Sequence, residues 1–195
     1  MMISNFLSIK INKYKWIVFF LIFINSLALA ESDKFQWVCN TPGLACTDKN
    51  DQCTLYAVNE KKEKKLILVS DRRGMCRTTI NDLSNVISAV VTSCGSYCSS
   101  SVFYDFDTRM IVSYPDVLAV QPHKKLVIYL KNLSVFLSYL FKEETPQEII
   151  NKKDLSHMTA FPIDSIEGIK FEENKVIINY IDNRNKIAKK IIYIS

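Results

Sequence analysis

Six cysteines, Cys39, Cys46, Cys53, Cys76, Cys94 and Cys98, all lie between residues 39 and 98, behind an apolar leader. An even set in a chain that leaves the cytoplasm predicts three disulfides rather than free thiols. Spacing does not settle which cysteines pair. The expected arrangement is Cys39–Cys46, Cys53–Cys76 and Cys94–Cys98. The last pair stands out, because Cys94-Gly-Ser-Tyr-Cys98 sits between an apolar run, Val86 to Val91, and an aromatic run, Val102 to Phe106. That pattern predicts a strand, a cystine-clamped corner and a second strand.

The other chemistries open to cysteine fit poorly. A structural zinc site calls for closely spaced Cys pairs or histidine partners. Here the first three cysteines are separated by six residues each, and the only histidines, His123 and His157, are remote in sequence. A redox centre calls for Cys-x-x-Cys opening a helix, where the helix terminus lowers the thiol pKa. Cys94 and Cys98 are one residue too far apart and lead into a strand. No cofactor-binding motif is present, so neither a cofactor nor a metal is expected.

Export is read from the first thirty residues. Lys10, Lys13 and Lys15 precede the apolar stretch Trp16 to Ala30, and charge resumes at Glu31. Ala28-Leu29-Ala30 offers small residues at both positions that a signal peptidase inspects, which places cleavage between Ala30 and Glu31. The apolar stretch is shorter than the roughly twenty residues that span a bilayer. Residues 1–30 are therefore expected to be a cleavable signal peptide, with no stable membrane span left afterwards. Its removal takes three of the 25 basic residues and no acidic one, leaving 22 against 20, near +2. A balance that close to neutral gives no reason to expect a nucleic-acid partner. Residues 31–195 are expected to form a single disulfide-stabilised domain, long enough for one core.

Strand signals fill that domain. Glu31 to Val38, with Phe35, Trp37 and Val38, begins it, and Asn40 to Gln52 is a polar loop held by its cysteines. Cys53 to Val58 and Lys65 to Ser70 make a hairpin around a solvated lysine tip. Asp71-Arg72-Arg73-Gly74 reads as a turn and Met75 to Ile80 as a strand. Val86 to Thr92, Val102 to Phe106, Met110 to Tyr114, Asp116 to Val120, Leu126 to Leu130 and Leu133 to Phe141 follow with short turns, the cadence of an antiparallel meander. This alternation of apolar strand and polar turn resembles single blades of β-propellers, which implies a strand pattern and no particular activity. Thr145-Pro-Gln-Glu148 has the form of a capping box and predicts a short helix to about Leu155. Ile163 to Phe171, Lys175 to Ile181 and Ile187 to Ile194 read as strands. The fold class expected is mainly β, an antiparallel meander, sandwich or set of propeller-like sheets, with one or two short helices.

No nucleophile elbow or phosphate-cradling glycine loop occurs. Asp105 and Asp107, two apart in a predicted strand, would share one face, a geometry that paired carboxylates use, although the wet side of a strand gives the same pattern. Asp48 to Asp51 reads as a polar turn, since it lacks the glycine and distal glutamate of a calcium loop. The function expected is an exported, non-enzymatic binding protein of the periplasm or the medium, such as an inhibitor, immunity-type or envelope accessory protein. Its partner would be another protein or an envelope component. The alternative is an exported hydrolase or secreted effector, for which Asp105, Asp107, Arg109 and His157 are the candidate residues.

Overall fold

Cys53, Leu55 and Ala57 are buried, while Thr54, Tyr56 and Val58 between them stay half-exposed. A period of two in burial is the mark of a strand with one face on a core. In the computed structural model, which describes residues 34–42, 45–95, 98–159 and 161–194, that pattern recurs from sheet to sheet. The expected leader and the Ala30–Glu31 cleavage point lie outside the described residues. Residues 36–195 form one compact unit.

The first sheet joins β1 (Phe35–Cys39), β2 (Gln52–Val58) and β3 (Lys64–Asp71). A short helix, α1 (Arg72–Cys76), leads to the second sheet: β4 (Thr78–Asp82), β5 (Ile87–Gly95), β6 (Cys98–Asp105) and β7 (Ile111–Pro115). The third holds β8 (Val117–Gln121), β9 (Leu126–Lys131), β10 (Ser134–Tyr139) and β11 (Gln147–Ile150). The fourth holds β12 (Ile166–Phe171), β13 (Lys175–Ile181) and β14 (Ile187–Tyr193). Every sheet is an antiparallel meander of strands consecutive in the chain, and none closes into a barrel. The protein is mainly β, with propeller-like sheets that follow one another in order.

The third sheet shows how the sheets share cores. Leu126, Ile128 and Leu130 of β9 pack with Val176, Ile178 and Ile192 of the fourth sheet. Val127 and Tyr129, pointing the other way, pack with Ala89 and Phe103 of the second. One strand therefore serves two cores, and its sequence is a continuous apolar run for that reason. Each such side chain contributes about 1.5–3 kcal/mol by leaving water.

A single residue carries the chain from the second sheet to the third. Asp116 stands between β7 and β8 with φ 34°. Its amide donates to the Ser99 carbonyl at 2.9 Å, and its Oδ1 accepts from the Ser99 amide at 2.7 Å. Its own carbonyl accepts from the amide of Leu130 in β9 at 3.0 Å. The side chain thus ties the pivot to one sheet while the backbone ties it to the other.

Several expectations are corrected. Residues 145–155 are not helical. Gln147–Ile150 pairs with β10 instead, followed by a 3-10 turn at Lys152–Asp154. Ile149 and Ile150 are both buried there, and Glu148 bonds the Asn151 side-chain amide at 2.7 Å rather than closing a capping box. Two β-branched residues with a core to fill outweigh a capping signal. The helix lies elsewhere, at α1, where Asp71 Oδ1 accepts from the Gly74 amide at 2.6 Å. The segment from Asp71, expected as turn and strand, therefore begins with one helical turn.

The disulfides differ from the expected arrangement too. They join Cys39 to Cys53 and Cys46 to Cys76, not Cys39 to Cys46 and Cys53 to Cys76, and the third joins Cys94 to Cys98. Pairing follows the sheet. Asn40 donates to Gln52 at 3.0 Å, which lays the end of β1 against the start of β2, so Cys39 and Cys53 meet across strands. Cys46 is then left for Cys76 at the end of α1.

Candidate functional site

The β9–β10 hairpin turns on two residues, Asn132 and Leu133, with Lys131 paired to Ser134. Both have positive φ, 52° and 68°, the signature of a type I′ turn, for which Asn-Gly is the favoured pair. Leucine in glycine's place holds a left-handed backbone that costs roughly 1–2 kcal/mol. Its side chain is 55% exposed. A strained backbone presenting an apolar side chain to water brings nothing to the core, and it is the kind of outlier from which a function is inferred.

Leu133 does not stand alone. It lines two adjoining concavities, of about 380 and 190 Å³, that share Leu133, Phe161 and Pro162. Phe161 and Pro162 come from the segment that opens the 3-10 turn Pro162–Ser165 before β12. Leu155 and Ile163 add apolar wall, and Lys131, Lys152, Lys153 and His157 supply basic and polar groups. The segment after Asp154 is held in place by Leu155, bridged to Asp182 just beyond β13, and by the Ser156 amide, which donates to the Ile181 carbonyl at 3.0 Å. The result is an apolar groove between the third and fourth sheets whose margin is mostly basic; among the described residues its one acid is Asp116, whose Oδ1 is engaged by the Ser99 amide.

The residues singled out for catalysis fall in different settings. Asp105 ends β6 and is fully buried, so it neither faces water nor pairs with Asp107 across a shared strand face. Asp107 lies in the turn that follows. Asp105 Oδ1 accepts from the amides of Asp107 and Thr108 at 3.0 and 3.1 Å, and Oδ2 accepts from Lys125 Nζ at 2.8 Å. Burial alone would raise the pKa of this carboxyl. The lysine and the two amides outweigh it and hold the group below the usual carboxylate range. Arg109 makes an exposed ion pair with Glu63 at 3.0 Å. His157 is exposed on the groove wall. Asp105 thus anchors the β6–β7 turn, and of the four candidates only His157 lines the groove.

A second buried carboxylate lies where the sequence suggests only a polar turn. Asp51, expected in a polar turn, is 5% exposed and bonds Arg72, which reaches it through Nε at 2.8 Å and Nη2 at 2.5 Å. Its Oδ1 accepts from the Thr41 amide at 2.9 Å. Burial again pushes the pKa upward, and the bonds from Arg72 and Thr41 more than reverse it. Asp51 also lies within 4.8 Å of the sulfurs of Cys39 and Cys53. Those sulfurs are bonded to each other, which leaves no thiolate to offer a metal.

The groove was legible only through one oddity. Asn132-Leu133 between two apolar runs is a hairpin signal with the wrong second residue, and the strand expected over Leu133 to Phe141 takes in the turn residue itself. No protein-family model matches this sequence, and no curated protein matches it closely enough to lend it a role.

Proposed function

We propose that this chain is an exported, non-enzymatic binding protein whose groove at the β9–β10 tip takes an extended segment of another protein. The segment would set an apolar side chain against Leu133 and Phe161 and turn carboxylates toward Lys131, Lys152 and Lys153. The observation that carries this reading is Leu133 itself: exposed, apolar and held at φ 68° where glycine is favoured. Such strain persists where the surrounding structure enforces it, and it clusters at binding sites. The lysines supply the charge complement, which sets orientation and partner choice more than affinity. Three disulfides suit an oxidising compartment, and the Ala28-Leu29-Ala30 leader supports periplasm or medium as the destination.

The test separates binding from folding by its signs. Leu133→Gly relieves the turn, so its melting temperature should rise by about 2–4 °C, the shift expected for roughly 1 kcal/mol in a chain of this size. Panning a displayed peptide library on the wild-type protein should enrich sequences with an apolar residue beside Asp or Glu. Those peptides should bind Leu133→Gly at least tenfold more weakly. Peptides that bind the two proteins equally well would remove the groove from the function.

A further inference from the structure

A second, separate site lies beside the Cys46–Cys76 disulfide. Helix α1 and the residue after it hold three arginines with different fates. Arg72 turns inward to Asp51. Arg73 and Arg77, four positions apart and so on one side of the helical turn, line an open concavity of about 530 Å³ with Lys49, Thr47 and the two cysteines. Like charges at that spacing destabilise a helix, and Lys49 is brought to the same concavity on the loop that the disulfide ties to α1. Among the described residues no carboxylate lines this space. Among the described residues, none of Lys49, Arg73 and Arg77 makes an ion pair, whereas Arg72 and Lys125, its neighbours in kind, each have an aspartate. Three cations therefore line one open concavity without an acidic partner among the described residues.

We infer that this concavity binds a multiply charged oxyanion, a diphosphate or a cluster of phosphoryl groups, held by Arg73 and Arg77 with Lys49 as a third charge. Guanidinium groups pair with two phosphoryl oxygens at once, and lysine adds a mobile point charge. The Thr47 hydroxyl supplies a neutral donor. The concavity, about 530 Å³ and open to solvent, has room for more than a single phosphate, so it can take a phosphorylated group on a larger body. That body is either a soluble metabolite or the headgroup of an anionic lipid. This site is independent of the groove at Leu133 and stands or falls apart from it.

The experiment uses the full oxidised chain and inorganic pyrophosphate as probe, read by calorimetry at low and at high salt. The wild type should bind pyrophosphate saturably and more tightly than inorganic phosphate, with affinity falling as salt rises. Arg73→Ala with Arg77→Ala should weaken binding at least tenfold while keeping the melting temperature, because the pair removed is like-charged and partly exposed. Lys189→Ala with Lys190→Ala, a charge control on β14, should bind as the wild type does. Sedimentation with phosphatidylcholine vesicles, with and without cardiolipin, whose headgroup carries two phosphates, tells the two sources apart. Pelleting with the anionic vesicles that pyrophosphate reverses assigns a lipid headgroup, and pyrophosphate binding without pelleting assigns a soluble ligand. Absence of saturable pyrophosphate binding, or binding unchanged in the double arginine variant, overturns the site.

Discussion

Asp105 shows how one side chain sets the acid limit of the fold. Its carboxyl titrates lower in the folded protein than in the unfolded chain, and Asp51 shifts in the same direction. A depressed folded pKa means that the unfolded state binds the proton more readily. The stability these groups contribute is therefore complete above the unfolded value, near 4, and drains away as pH falls through the folded one. Urea midpoints should hold steady down to about pH 5 and then drop. Lys125→Met tests the account. It should cost about 1–3 kcal/mol at pH 7 by leaving a buried carboxylate without its cation. Because the folded pKa then rises, this variant should lose less than the wild type between pH 7 and pH 3. Parallel acid profiles would show that Lys125 does not hold Asp105. None of this was readable in Phe103-Tyr-Asp-Phe-Asp107, where alternation places Asp105 on a wet face. A carboxylate that closes a turn and meets a lysine twenty residues on leaves no mark in local periodicity.

Among elements, the strands were the legible part and their cross-links were not. Cys53–Val58, Leu126–Leu130 and Lys175–Ile181 announce themselves by β-branched alternation or by an apolar run between turn residues, and each falls within a strand found. The helix expected from Thr145 does not form because a cap is a local signal, while Ile149 and Ile150 answer to a core brought from other sheets. Cystine pairing departs from the expected one for a like reason: it depends on which strands lie side by side. The bridges also differ in weight. Cys46–Cys76 closes a separation of 30 residues and Cys94–Cys98 one of only 4. On chain-entropy grounds the first is worth about 4 kcal/mol and the second about 2. Replacing both cysteines of each pair by serine should reproduce that order in thermal melts, and a larger loss at Cys94–Cys98 would mean that the corner it clamps carries more than loop entropy. Ile128→Ala in β9 should cost about 3–4 kcal/mol, since that side chain is fully enclosed in the core shared with the fourth sheet.

Taken whole, the molecule is most firmly held in its middle layers and most open at its end. β9 lies inside its sheet and has cores on both sides, whereas β14 is an edge strand whose Ile187 and Tyr193 are 80% and 78% exposed. Amide exchange should be slowest in β9 and fastest in β14. Uniform protection across the four sheets would contradict a layered arrangement of cores. The order of strands within each sheet could be read from the sequence, because each pairs with its neighbour in the chain. How one sheet lies on the next could not, since that depends on which face of a doubly apolar strand meets which partner. The same neighbour-to-neighbour order has a consequence for synthesis. A ribosome delivers the strands in the sequence in which they pair, so each meander can close before the next is made. All six cysteines have emerged by residue 98, well ahead of the last two sheets. The covalent framework can therefore be complete while half of the protein is still unmade, but its first two bridges interleave, so Cys39 has to pass over Cys46 and wait for Cys53, as Cys46 waits for Cys76.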